Sequence, residues 1–114
     1  MSNLINGVDF DRVTAEAITA ARGIIRNDWP RLQACVEMLG RGMANDARFL
    51  KRQLEAGALD HAAARTFLED RKIVARLQLR ALAIITLQLA EDILDAMTAV
   101  FTSAINRMLG WDLL

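Results

Sequence analysis

Apolar residues recur along this chain in three stripes of helical period. In the first, Val13, Ala17, Ala20, Ala21, Ile24 and Ile25 line one side, and Arg12, Glu16, Arg22 and Arg26 stand outside. Such spacing predicts an amphipathic helix over about residues 11–27. The second stripe, Leu32, Val36, Leu39, Met43, Ala47, Leu50 and Leu54, advances about 3.67 residues per step and predicts a helix over 30–56. The third, Leu82, Ile85, Leu89, Ile93, Met97, Val100, Ala104, Met108 and Trp111, advances about 3.6 per step. That is the period of a nearly straight helix, not the 3.5 of a sustained left-handed coiled coil. Beside it lie Leu87, Leu94, Phe101 and Ile105, which widen the apolar arc to roughly 200°, twice the ~100° minimum of an ordinary surface helix. Leu77 and Ile84 intrude even on the polar side. This helix needs neighbours on more than one flank.

Short polar segments separate the stripes. Asp9 or Asp11 can cap the first helix by accepting from unpaired first-turn amides. Asn27, Asp28, Trp29 and Pro30 mark the next joint, since proline fits a first helical turn and discourages helix in the residue before it. Gly57 suits a left-handed C-cap, and Asp60 is placed to cap the third helix. Ala58 to Leu109 then contains neither glycine nor proline. One very long C-terminal helix, about 75 Å from end to end, is the economical expectation.

The predicted fold is therefore all-α and forms a single domain over 1–114, with 1–8 as an irregular lead-in. It is an elongated helical hairpin: the long helix (58–109) packs antiparallel on the two shorter helices, laid end to end with a joint at Trp29-Pro30. With Gly57-Ala58 at the tip, residue r faces roughly residue 116 minus r, so Trp29 lies near Leu87 and Trp111 near Ile5. Copies of the hairpin would assemble into an oligomeric helical bundle. The competing arrangement is a compact bundle whose third helix breaks around Thr86 to Asp92, where neither glycine nor proline marks a break.

With 54% apolar residues, 5% aromatic and no tyrosine, the core must come from Leu, Ile, Val, Ala and Met, which helices use well. Formal net charge is zero, so the chain as a whole exerts no pull on nucleic acid or anionic membrane. A single cysteine, Cys35, rules out an intrachain disulfide and a multi-cysteine metal site. No secretion signal is evident at the start, and the uncharged stretches 81–90 and 96–106 fall short of the ~18–20 residues of a membrane span. A cytoplasmic protein is expected.

Catalytic chemistry finds little support. The one histidine, His61, has no glutamate three residues before it, as a bundle di-metal site would require. Glu91, Asp92 and Asp95 share their face with Gln88, Thr98 and Thr102 and read as a solvated acidic patch. Cys35 falls on the side of Val36 and Leu39 and reads as a small core residue. Glycine-rich phosphate loops and Gly-x-Ser-x-Gly are absent. No catalytic residue, cofactor or metal is expected.

Charge is unevenly distributed. Between Arg41 and Arg80 stand nine bases (Arg41, Arg48, Lys51, Arg52, Arg65, Arg71, Lys72, Arg76, Arg80) and five acids (Asp46, Glu55, Asp60, Glu69, Asp70). Lys72, Arg76 and Arg80 repeat every four residues, which costs a few tenths of a kcal/mol per like-charged pair unless an anion sits opposite. Two antiparallel copies of the long helix would set Arg80 against Glu91 and Arg76 against Asp95. The expected function is thus a non-catalytic structural or adaptor protein that self-assembles through apolar helix faces. Its interface would comprise Leu82, Ile85, Leu89, Ile93, Met97, Val100, Phe101, Ala104, Ile105 and Met108, with Lys72, Arg76, Arg80, Glu91 and Asp95 as a subunit-pairing or anion patch. A homo-oligomer, with room for a further protein partner, follows from this. The alternatives are a nucleic-acid-binding helical protein using the basic Arg41 to Arg80 end, and a membrane-surface helical protein. Against the latter, Glu91, Asp92 and Asp95 would repel anionic lipid.

Overall fold

Three of the four α-helices start where a short polar side chain takes up unpaired amides, and the other starts at a proline. A computed structural model describes residues 4–5 and 7–110. In place of an irregular lead-in, Leu4–Ile5 (β1) pairs antiparallel with Val8–Asp9 (β2), and Gly7 takes the left-handed turn between them at φ +82°. Asp9 accepts from the amides of Asp11 (3.0 Å) and Arg12 (3.4 Å), opening α1, Phe10–Ile25. A 3₁₀ turn, Arg26–Asp28, leads into α2, Trp29–Glu55, with Pro30 in its first turn. Gly57, at φ +70°, lets the chain reverse. Asp60 accepts from the Ala63 amide at 2.8 Å and starts α3, His61–Leu82; Thr86 accepts from the Leu89 amide at 3.1 Å and starts α4, Leu87–Leu109.

The single very long helix over 58–109 does not form. Its third stripe is split at residues 83–86, where Ala83 is fully extended (φ −138°, ψ 137°). Three consecutive β-branched residues, Ile84, Ile85 and Thr86, carry low helix propensity, and Thr86 offers the hydroxyl cap for a new start. The break lies just ahead of the 86–92 segment at which a compact bundle would be expected to fold back. It needs no glycine or proline because the helix beyond it gains a buried face by turning back.

The expected hairpin register survives this break. Phe49 meets Phe67 (ring centroids 5.0 Å apart), Asp46 meets Arg71, and the Arg31 guanidinium donates to the Ile84 carbonyl at 3.1 Å. All three pairs fall within one residue of the 116-minus-r rule. Gly23 and Ile24 of α1 likewise share a groove with Asp92, Asp95 and Ala96 of α4. What differs is that both arms of the hairpin bend, one at Arg26–Asp28 and the other at residues 83–86, and the hairpin doubles over on itself. The result is an up-down-up-down four-helix bundle in which α1 packs on α2 and α4, and α3 packs on α2 and α4. Its extents are 43 × 28 × 20 Å, so it is little longer than α2 alone and far from the elongated shape expected.

Close packing is concentrated on the α1 side. Phe10, Val13, Ala17 and Ala21 are buried against Ile93, Leu94, Met97 and Phe101, with Phe10 and Phe101 stacked at 6.5 Å. Gly40 sits where α1 crosses α2; a Cβ there would lie 3.1 Å from the Thr14 methyl. The expected meeting of Trp111 with Ile5 lies outside the described residues, as does the end of the third stripe at Trp111.

Candidate self-association surface

α3 is the helix least absorbed by the core. Ala64, Ala75 and Leu79 are its only buried residues, all on one side. On the opposite side Ile73 is 49% exposed and Leu77 65%, with Val74 and Ala81 flanking them. At the bundle end Leu82 and Leu87 are also exposed, and between them the side chain of Ile84 stands 94% in water. Arg31 holds the Ile84 backbone, so this corner is tied down while its side chain projects outward. Leu77 and Ile84 are the two residues that break the polar face in sequence, and that intrusion is the sequence signal for this surface.

Most of the residues expected at a subunit interface are instead core within one chain. Ile93, Met97, Phe101, Ala104, Ile105 and Met108 are buried, and Leu89, Val100 and Ile85 are half-buried against the same cluster. The wide apolar arc of α4 finds its several flanks in α1, α2 and α3 of its own chain, so it does not require a second copy. Leu82 alone of that set is largely exposed.

The charge patch is likewise satisfied from within. Lys72 donates to Asp95 at 2.7 Å, and Arg76 faces Glu91, its Nη2 donating at 3.4 Å. The complementarity between basic and acidic blocks is real, but it joins α3 to α4 across a hairpin and is shifted by a turn from the Arg80–Glu91 and Arg76–Asp95 pairing expected between copies. Arg71 gives its Nε proton to both oxygens of Asp46 (3.1 and 3.2 Å), and Lys51 pairs with Glu55 at 3.0 Å. These carboxylates neutralise much of the basic stretch that would otherwise attract a phosphate backbone.

Arg80 is left over. Neither it nor Asp70 has an ion pair among the described residues, and both are exposed on the outer side of α3. At 100° per residue Asp70, Ile73, Leu77 and Arg80 fall within about one quadrant of the helix. An antiparallel two-fold copy of α3 would set Asp70 against Arg80 twice and Ile73 against Leu77 twice.

The chain matches no protein-family model, and no similar curated protein or solved structure is found. The site must be read from its own chemistry. Cys35 is half-buried in α2, and burial pushes its thiol above the ordinary 9.0, away from the thiolate a nucleophile needs. His61 lies exposed in the first turn of α3. Among the described residues no three His, Cys, Asp or Glu side chains are grouped to hold a metal. No described helix is long and apolar enough to cross a membrane.

Proposed function

We propose that this protein is a non-catalytic structural or adaptor component that pairs with a second copy of itself through the outer face of α3. One observation carries the reading: an exposed apolar strip, Ile73 and Leu77, bounded on the same helix by Asp70 and Arg80, which have opposite charge and no ion pair among the described residues. Burying such side chains contributes roughly 1.5–3 kcal/mol for each one fully removed from water. The two Asp70–Arg80 contacts would add at most ~1 kcal/mol each and fix the register rather than hold the pair. Leu82, Ile84 and Leu87 form a separate exposed apolar group at the bundle end, which offers a further protein partner a place to dock.

Sedimentation equilibrium on the full chain tests this. At micromolar concentration the expected mass is that of a dimer, and Ile73→Glu with Leu77→Glu should give a monomer that unfolds as cooperatively as the parent. Asp70→Arg should weaken pairing, and adding Arg80→Asp should restore it. A monomeric parent overturns the proposal. Salt-sensitive binding of the parent to duplex DNA, lost in Arg80→Asp, would put the nucleic-acid reading in its place, and adsorption to phosphatidylcholine vesicles through Ile84 would favour the membrane-surface one.

A further inference from the structure

Both bends of the doubled-over hairpin lie at one end of the bundle. Arg26–Asp28 joins α1 to α2 and residues 83–86 join α3 to α4, while Gly57 stands at the other end. The molecule therefore consists of two halves, α1 with α4 and α2 with α3, closed on one another by two short hinges. The seams that close it are α1 on α2 and α4 on α3.

Neither hinge is relaxed in its bent form. Arg26 is the one non-glycine among the described residues with positive φ (58°, with ψ −118°), a sparsely populated conformation that an extended joint releases. At the other hinge the bend leaves Leu82 and Leu87 more than half exposed. It also separates two helices whose buried faces are in phase. At 100° per residue across the break, Ala64, Ala75 and Leu79 of α3 and Ala90, Met97 and Ala104 of α4 all fall within about 60° of Leu79. Two helices that merely follow one another need not share a phase, whereas one straight helix must. On that straight helix Leu82 joins the same arc and Leu87 lies near its edge.

We propose that two copies open at these hinges and exchange halves. In the exchanged dimer α3 and α4 run on as one helix, α1 and α2 extend about the Pro30 joint, and each closing seam of the monomer recurs between chains. The Lys72–Asp95 and Arg76–Glu91 contacts then join one copy to the other, and the apolar arc of α4 is covered by the partner's α2 and α3. Because the closed and exchanged forms bury the same seams, the balance between them rests on the hinges and on concentration. Strain at the bends favours exchange. Thr86 opposes it, since its cap on the Leu89 amide is lost in a continuous helix. The outer face of α3 lies outside these seams, so the exchange neither needs nor replaces pairing through Ile73 and Leu77.

Refolding the full chain from urea at high concentration, with the α3 face removed by Ile73→Glu and Leu77→Glu, isolates the exchange. Gel filtration with light scattering should show a dimer that persists after dilution, because reverting requires both halves to separate. Should that chain not refold, the parent gives the same readout, since pairs held only through α3 dissociate on dilution. Leu87→Pro suits the closed form: proline fits a first helical position, and Thr86 before it is already extended (φ −71°, ψ 158°). It cannot sit inside a continuous helix, so it should lower the dimer fraction about tenfold or more. Arg26→Gly relieves the other bend and should lower it about fivefold. Spin labels on Thr66→Cys and Ser103→Cys, with Cys35→Ala and diluted with unlabelled chain, face each other across α3 and α4 in the monomer; in the dimer they should stand about 55 Å apart, at ~1.5 Å per residue. Labels that stay close within the dimer, or an undiminished dimer from Leu87→Pro, would overturn the exchange. A parent that dimerises only reversibly, with the Ile73→Glu, Leu77→Glu chain monomeric throughout, overturns it while upholding pairing through α3.

Discussion

Two glycines two residues apart on α2 face opposite conditions. Gly40 is buried under α1, where any Cβ would press on Thr14; Gly42 borders open space between α2 and α3. The difference extends to whole flanks of the bundle. α1 presents Ala17 and Ala21 to its neighbours and so approaches closely enough for Phe10 to stack on Phe101. On the other flank α3 also offers small residues, Ala64 and Ala75, but it is held beside α2 and α4 in part by ion pairs at Asp46, Asp95 and Glu91. Small residues thus give a tight seam only where the facing helix closes onto them. Where charged side chains bridge the gap, the same residues leave a cleft.

The sharpest way to break this contrast is to truncate one large side chain on each flank. Phe10→Ala removes a fully buried ring from the close-packed flank and should cost about 3–5 kcal/mol in urea denaturation. Leu77→Ala, on the outer face of α3, should stay within about 0.5 kcal/mol when measured on the monomer. Comparable losses at the two positions would mean that α3 is as deeply integrated as α1.

Legibility in the sequence divides along the same line. The stripes of α1 and α2, the cap at Asp60, the first cap as a choice between Asp9 and Asp11, and the hairpin register are all readable, because they depend on local periodicity and on chain reversal at Gly57. The doubling-over is not. Glycine and proline are the usual marks of a helix stop, whereas the signal here is the β-branched run Ile84-Ile85-Thr86, whose threonine caps the next helix. The same apolar arc on α4 serves equally well for an oligomer core or for packing within the chain, and only the location of the break distinguishes these. Opposite charges at Lys72, Arg76, Glu91 and Asp95 are recognisable as partners, but sequence cannot say whether partners belong to one copy or two. The α2–α3–α4 cleft has no signature at all, since it arises from Gly42 and Ala75 meeting across helices far apart in the chain.

The glycine pair supplies the next test. In mid-helix, exchanging glycine for alanine gains roughly 0.5–1 kcal/mol when space is free, so Gly42→Ala should stabilise the protein. At Gly40 the new methyl would lie 3.1 Å from the Thr14 methyl, and Thr14 cannot rotate away cheaply because its hydroxyl donates to the Phe10 carbonyl at 2.6 Å. Overpacking of this kind costs about 1–3 kcal/mol. Thermal or urea unfolding should therefore rank Gly42→Ala above the parent and Gly40→Ala below it. The reverse order would show that α1 can shift on α2.

A smaller effect is expected at the bridges that hold α3. Arg76 and Glu91 are both about one-third exposed, and solvent screening limits their coupling to about 1 kcal/mol or less. A double-mutant cycle with Arg76→Ala and Glu91→Ala should recover that coupling in the monomer and show it shrinking with added salt. Coupling that appears only at concentrations where copies associate would instead place this pair between chains.

The smallest effect concerns Asp46, and its sign is what matters. Its side chain is only 17% exposed, and this desolvation raises its pKa above the ordinary 3.8, outweighing the hydrogen bond and charge of Arg71 that act to lower it. Between 3.8 and the raised folded value, the folded state keeps a proton that the unfolded chain has already lost. Stability from this group therefore falls as pH rises through that window, opposite to a carboxylate whose ion pair lowers its pKa. Measured against Asp46→Asn, the parent should have its best relative stability below the window and lose some of it above. A relative gain with rising pH would mean that Arg71 prevails over burial, and that the α2–α3 flank is wetter around this pair than its exposure implies.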